Sequence, residues 1–350
     1  MNQAQVQYAD EPDTSVPREV IETITGLTAP VVITHVRPDA DALGSMFAVA
    51  IALARGLVTP RVSLPEGCLS RRLTFLSDWA GAPVATPEDF ASADGFITVD
   101  AARRSRCLVD RPLWDSDWSA GKPIVVIDHH ATNRLFGKVN WVAGEAGSTA
   151  EMVYRLLRAA DLPITPTIAS LLYAGIHSDT IGFSLPTTSA SALEAAADLT
   201  RRGARVGEIG DYLCRNQSKQ EFDLHRLIYA NTRLIENGLI AYSTASLREI
   251  RDAGCTVADI DEQIAIPRSL NGARLAMLLT EGAPGQTRIN FRGTGDLTVV
   301  DLADKFGGGG HSQAAGAVLD CGLEEALERV LPEAVAYVEE HLSLNQPGLD

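Results

Sequence analysis

"VVITHVRPDADALGS", residues 31–45, runs an apolar stretch straight into His35, Asp39 and Asp41 before continuing as Ala-Leu-Gly-Ser. The β-branched run reads as a buried strand, and the apolar-rich stretch 42–55 behind it reads as a helix. A strand that stops at one imidazole and two carboxylates gathers lone pairs at its end. The pattern recurs twice. "GFITVD" (95–100) ends on Asp100, and "PIVVIDHH" (123–130) ends on Asp128, His129 and His130. Helical patterns follow at 148–160 and 166–176. Strands alternating with helices predict an α/β fold, a parallel sheet flanked by helices. Ligands of such sheets bind beyond the carboxyl ends of the strands, where these side chains fall.

The chain is 350 residues long, enough for two domains. Residues 188–236 are helical in pattern, and "SKQEFDLHRLIYANTRLIENG" (218–238) reads as a connecting helix ending at Gly238. Beyond it, strands are expected at 239–246, 288–293 and 314–320, with helices at 245–253, 270–280, 298–306 and 323–341. These predict a smaller α+β domain. The expected organisation is a lead-in at 1–17, a large domain at 18–215, a linker helix at 216–237 and a second domain at 238–345.

A composition of 45% hydrophobic and 21% charged residues is that of an ordinary globular protein. No apolar run reaches the roughly 18 residues of a membrane span. The first 20 residues are polar and acidic, unlike a signal peptide, and read as the disordered start of a cytoplasmic protein. Cys68, Cys107, Cys214, Cys255 and Cys321 are scattered without a CxxC pair, so buried thiols in a reducing compartment are expected. The formal charge of −15 opposes a protein that coats or slides along nucleic acid, yet permits a short anion in a locally positive cleft.

The tight loop "RPDAD" can turn Asp39 and Asp41 towards His35; alternatively, Asp41 is placed as an N-cap for a helix starting at Ala42. Asp100 alone reads as a turn residue, and Asp179, in "YAGIHSDTIGF", as a helix-terminal acid. The adjacent histidines after "VVID" are costlier to bury without partners. Together the four segments offer His35, Asp39, Asp41, Asp100, His129 and Asp179. Six oxygen and nitrogen donors without a thiolate exceed the needs of one cation and match a pair bridged by a carboxylate. That donor set suits manganese or magnesium better than structural zinc. Two such cations activate water and stabilise charge on an attacked phosphate. In "FGGGGHSQAAG" (306–316), backbone N–H groups and His311 suggest a phosphate nest, with Arg292 of "NFRG" as a bidentate clamp or else a solvated strand-edge residue. His225 and His341 read as structural.

These motifs, in this order, resemble the DHH phosphoesterase family over nearly the whole chain. "HVRPDADALGS" is similar to its first motif, Asp100 to its second, Asp128-His129-His130 to its third and Asp179 to its fourth. "FGGGGHSQAAG" resembles the signature of the DHH-associated C-terminal domain. The two-domain layout resembles the stand-alone nanoRNases, which degrade short oligoribonucleotides and often dephosphorylate 3′-phosphoadenosine 5′-phosphate. The resemblance implies one metal on His35, Asp39 and Asp100, and a second on Asp41, Asp100, His129 and Asp179. It places His130 at the scissile phosphate, and has Arg292, Gly308, Gly309, Gly310 and His311 hold the substrate from the second domain. It departs at the fourth motif, where Ile181 separates Asp179-Thr180 from Gly182.

The expected partners are short single-stranded oligonucleotides or small nucleotides, with neither a membrane nor a long duplex, and a homodimer is compatible. A phosphodiesterase for cyclic or linear dinucleotides of the cyclic di-AMP type is the rival expectation. An inorganic pyrophosphatase or polyphosphatase fits less well, because the glycine-rich motif favours a nucleotide-type substrate. A processive DNA exonuclease fits less well still, since the net charge is wrong for it and no extra DNA-binding domain is read. A nucleotide-binding module with a decayed site would have lost a ligand, and all six are present.

Overall fold

The computed structural model describes residues 16–109, 119, 121–185 and 187–344. The expected lead-in, 1–17, lies outside them except for Val16 and Pro17. Internal contacts divide the chain into two compact units, Met1–Asn216 and Gln217–Asp350. No helix among the described residues is long and apolar enough to cross a membrane.

The first unit is built on five parallel strands: β1 (Pro30–Ile33), β2 (Arg61–Val62), β3 (Gly95–Val99), β4 (Ile124–Asp128) and β5 (Val139–Val142), in the order β2-β1-β3-β4-β5. Successive residues serve opposite faces. Val32, Ile97, Val99, Val125 and Ile127 join the larger core under the helices, while Val31, Ile33, Phe96, Ile124 and Val126 join a smaller core with Phe90 and Cys107. Burial on both faces explains why these strands read as unbroken apolar runs. In this order the chain reverses direction across the sheet between β1 and β3, leaving a crevice at their carboxyl ends. His35 and Asp100 follow those two strands.

The helix Ala40–Leu53 begins two residues earlier than expected. Its N-cap is Asp39, whose side chain accepts from the Ala42 N–H at 2.9 Å, and Asp41 lies in its first turn, fully buried. Nearly every residue of this helix is buried because it is enclosed between the sheet and the helix Pro166–Asp179. Two glycines permit that approach. A Cβ on Gly44 would strike the Leu171 carbonyl, and one on Gly175 would lie 2.6 Å from Ala150 Cβ and 2.8 Å from Asp41 Oδ1.

The second unit holds six strands: β6 (Arg233–Ile235), β7 (Ile240–Ala245), β8 (Leu275–Ala283), β9 (Gln286–Gly293), β10 (Gly309–His311) and β11 (Ala314–Leu319), in the order β10-β11-β9-β8-β7-β6. Only β7 and β8 run parallel. The expected helix at 270–280 does not form: 270–274 are turn and irregular, and strand β8 starts at Leu275. Its "LAMLLT" consists largely of good helix formers and lacks alternation, because both faces are covered. Leu275, Met277 and Leu279 pack with Val330 and Ala334 of the helix Leu323–Leu344. Ala276 and Leu278 pack with Leu224 and Ile228 of the helix Lys219–Asn231. That helix is therefore part of the second unit's core. It also ends seven residues before Gly238, since Thr232 is extended and the chain continues as β6.

Of the five cysteines, only Cys107 and Cys321 are buried and Cys214 is exposed; all five are free thiols. Burial pushes the Cys107 thiol up to about 12.

Replacing Gly175 with Ala should wedge the two helices apart where they meet Asp41. Overpacking of this kind costs about 1–3 kcal/mol, so the melting temperature should fall by several degrees in a thermal unfolding experiment. An unchanged melting temperature would mean that the helices separate without cost.

Candidate metal centre

The predicted residues meet at the carboxyl end of β1, β3 and β4. His35 Nε2 lies 3.3 Å from Asp100 Oδ2 and 3.9 Å from Asp39 Oδ2. His129 Nε2 lies 3.2 Å from Asp179 Oδ2 and 3.6 Å from Asp100 Oδ1. Three overlapping groups have donor atoms mutually within 4.8 Å: His35, Asp39 and Asp100; Asp41, His129 and Asp179; and Asp100, His129 and His130. Asp100 belongs to two of them, with one oxygen facing His35 and the other facing the paired histidines.

Local structure fixes each donor. Asp100 N–H donates to the Ile127 carbonyl at 2.9 Å, extending the β3–β4 ladder, and its φ of 55° turns the chain away at once. Its Oδ1 accepts from Thr149 Oγ1 at 2.9 Å. Asp41 accepts the Thr149 and Ala150 N–H groups at 2.7 and 2.8 Å, two otherwise unpaired donors at the start of the helix Thr149–Ala159. Asp179 ends its helix, where the dipole disfavours an anion. His35 Nδ1 sits 2.9 Å from the Val36 carbonyl and His129 Nδ1 3.4 Å from the Ala146 carbonyl, so each Nδ1 faces the backbone and each Nε2 is turned to the carboxylates, where a cation would displace any proton it carries.

His130 is held differently. Its Nδ1 donates to Asp128 Oδ1 at 2.8 Å, and Asn133 Nδ2 donates to Asp128 Oδ2 at 2.6 Å. The hydrogen bond to Asp128, with Asp100 and Asp179 nearby, lifts the imidazole to about 9, so it is a cation at neutral pH.

The electrostatics are those of a site built for positive charge. Burial, then Asp39 and Asp100, lift the Asp179 carboxyl to about 8. Burial and the neighbouring carboxylates push Asp41 well above its ordinary range and raise Asp39. Asp100 is held low against its burial by the hydrogen bond with His35 and by the charges of all three histidines. Four crowded carboxylates with imidazole nitrogens facing them fit divalent cations.

Thr149, Asn133 and Asp128 support the site without having been singled out as site residues. "GSTAE" signals a helix start, but nothing in it identifies Thr149 as a partner of Asp100. His177 joins none of the donor groups; it lies 6.1 Å from the rings of Tyr173 and Phe183, and burial lowers it. Ile181, Gly182 and Phe183 all adopt positive φ, of 48°, 64° and 65°. The inserted Ile181 thus occupies a left-handed turn that a β-branched residue rarely adopts.

In the second unit, Gly309, Gly310 and His311 form an edge strand rather than an open loop. Ala314 pairs with His311 on one side and Arg292 on the other, so both candidate substrate residues share one cross-strand row. A Cβ on Gly308 would meet the Gly316 carbonyl and lie 2.7 Å from Ala317 Cβ, which accounts for the glycine sterically.

Residues 30–176 match the model of the DHH family, N-terminal domain. The bifunctional oligoribonuclease and PAP phosphatase NrnA of Thermus thermophilus is 32% identical over 323 residues, covering 91% of this chain and 93% of that protein. The chain belongs to the DHH family. It is accordingly a metal-dependent phosphoesterase. The NrnA of Bacillus subtilis is 28% identical, covering 92% of this chain and 99% of its own. An exopolyphosphatase-related protein from Bacteroides fragilis shares the fold, with a TM-score of 0.80 at 21% identity over 94% of this chain and 98% of its own.

Asp179, lifted to about 8, has to give up its proton when a cation binds. Adding Mn²⁺ to EDTA-stripped protein at pH 7 should release protons, and affinity should weaken from pH 8 to pH 6. Calorimetric titrations in buffers of different ionisation enthalpy measure this directly. Heats independent of the buffer would contradict the charge crowding.

Proposed function

We propose that this DHH phosphoesterase hydrolyses short oligoribonucleotides and 3′-phosphoadenosine 5′-phosphate in the cytoplasm, using two divalent cations, manganese in preference to magnesium. The reading is supported above all by six oxygen and nitrogen donors brought from four separate segments to the ends of adjacent strands. The likeness to two NrnA proteins over more than nine-tenths of the chain supports the substrate class.

His35, Asp39 and Asp100 would hold one cation, and Asp41, Asp100, His129 and Asp179 the other, with Asp100 shared. Bound there, the cations lower the pKa of water and stabilise charge on the attacked phosphate. The chain's own groups do the rest. Asp41 is fixed by two backbone N–H groups and Asp100 by Thr149, so the donors need little rearrangement when the site is loaded. His130, held by Asp128 through Nδ1, would offer a hydrogen bond to the phosphate oxygens or the leaving group. Arg292, Gly308, Gly309, Gly310 and His311, all of the second unit, would bind a substrate phosphate.

The test is a Mn²⁺-supplemented panel of RNA and DNA from dimers to decamers, 3′-phosphoadenosine 5′-phosphate and cyclic di-AMP. Dimers to tetramers of RNA should be hydrolysed fastest and chelation should abolish turnover. A preference for cyclic di-AMP would replace this reading with that of a cyclic-dinucleotide phosphodiesterase. Asp100→Asn should lose both turnover and bound metal, as followed by kinetics and mass spectrometry. Wild-type rate with two metals retained would remove Asp100 from its bridging role.

His311→Ala should act on grip. Losing one hydrogen bond to a charged group costs about 1.5–3 kcal/mol, so KM for a dinucleotide should rise about ten- to hundredfold with metal content retained. Emptying of a metal site would instead assign His311 to the catalytic centre.

A further inference from the structure

The three central strand ends carry a second set of charges. The stretch 34–38 contains Arg37, 101–107 contains Arg103, Arg104 and Arg106, and 130–137 contains Arg134; none of the three contains Asp or Glu. All five arginines are exposed. In a chain of net charge −15, five guanidinium groups within so few residues run against the composition.

Hydrogen bonds tie these stretches to one another and to the candidate site. Val36 N–H donates to the Arg106 carbonyl at 2.7 Å, Leu108 N–H to the Thr34 carbonyl at 2.6 Å, and Arg134 N–H to the Ala102 carbonyl at 3.0 Å. His35 itself bridges to Cys107. Asn133 Nδ2 donates both to the Ala101 carbonyl, at 3.2 Å, and to the Asp128 carboxylate that orients His130. The arginine-bearing backbone is thus fixed to the segments that hold His35, Asp100 and His130.

Several arginines elsewhere are matched with acids, as in Arg18–Glu22, Arg61–Asp89, Arg202–Asp198 and Arg215–Asp211, while Arg233 bonds backbone carbonyls and Arg205 lies over Trp79. Among the described residues no carboxylate forms an ion pair with Arg103, Arg106 or Arg134. These exposed arginines stand on linked backbone segments, and a phosphodiester backbone is the anion that such a set of cations would suit. The guanidinium fork also matches phosphate oxygens bidentately.

We propose that Arg103, Arg106 and Arg134 form a cationic rim beside the candidate metal centre that binds the phosphodiester next to the scissile one. The rim makes the site select substrates with more than one phosphate. This deepens the oligoribonucleotide reading and rests on it for the identity of the chain that is held.

The test uses the full-length Mn²⁺-loaded protein and the variants Arg103→Gln, Arg134→Gln and their double. For a tetraribonucleotide and for bis-p-nitrophenyl phosphate, which has a single phosphodiester, kcat and KM are measured against salt. The ratio of kcat/KM values, tetraribonucleotide over bis-p-nitrophenyl phosphate, should fall about tenfold per arginine, chiefly through KM. The slope of log(kcat/KM) for the tetraribonucleotide against log salt should become shallower by about 0.7 for each arginine replaced. Arg134→Lys should keep the salt slope but recover only part of the ratio. An unchanged ratio and slope, or equal losses on both substrates, would overturn the rim. The tetraribonucleotide is also titrated as an inhibitor of bis-p-nitrophenyl phosphate hydrolysis. If wild type does not cleave it, the substrate reading fails, while a higher Ki in the variants still supports the rim and an unchanged Ki overturns it.

Discussion

Four carboxylates, Asp39, Asp41, Asp100 and Asp179, are crowded at the ends of buried strands and helices, and their mutual repulsion is the constraint around which the first unit is arranged. Three are pushed upward by burial and by one another, while Asp100 is held low by the three histidines. The fold offsets part of this cost locally. Asp39 caps one helix, and Asp41 takes two N–H groups at the start of another. Asp179 receives no such help: it sits at the helix end where its charge is least welcome. What remains uncompensated is the driving force for binding cations.

That arrangement depends on close packing some distance from the donors. Asp41 can face Thr149 and Ala150 only because its helix lies against Pro166–Asp179, and Gly44 and Gly175 set how closely the two approach. The same packing carries Asp179 to His129. A glycine pair buried among apolar residues therefore belongs to the chemistry as much as to the core.

The first unit was legible because strand ends and chemistry coincide. Short β-branched runs that each stop at His or Asp identify strands and donors together, and all six expected donors do meet. The start of the helix after β1 was misplaced by two residues, since Asp39 and Asp41 are both plausible caps and only the structure shows which side chain reaches Ala42. Thr149 and Asn133 were illegible as partners because a hydroxyl or amide that bonds a distant carboxylate leaves no local pattern. Strand β8 was misread for a physical reason: a strand covered on both faces loses the alternation that separates it from a helix, and its Leu, Met and Ala tip the balance the wrong way. The glycine-rich stretch was read for its N–H groups, whereas Gly308 and Gly310 are required first by close approach to β11.

The two histidines of the "DHH" triplet show how one strand end divides its work. His129 directs Nε2 towards Asp100 and Asp179 and anchors Nδ1 on a backbone carbonyl, which suits a neutral ligand. Its neighbour uses Nδ1 on Asp128 and is left 45% exposed with a positive charge. The two rings pack edge to face with centroids 4.6 Å apart, and what separates their roles is that His129 turns Nε2 to Asp179 while His130 turns Nδ1 to Asp128. Asp128 makes that separation possible. Being fully buried and satisfied by His130 and Asn133, it stays out of every donor group and fixes the charge of the residue that would meet the phosphate.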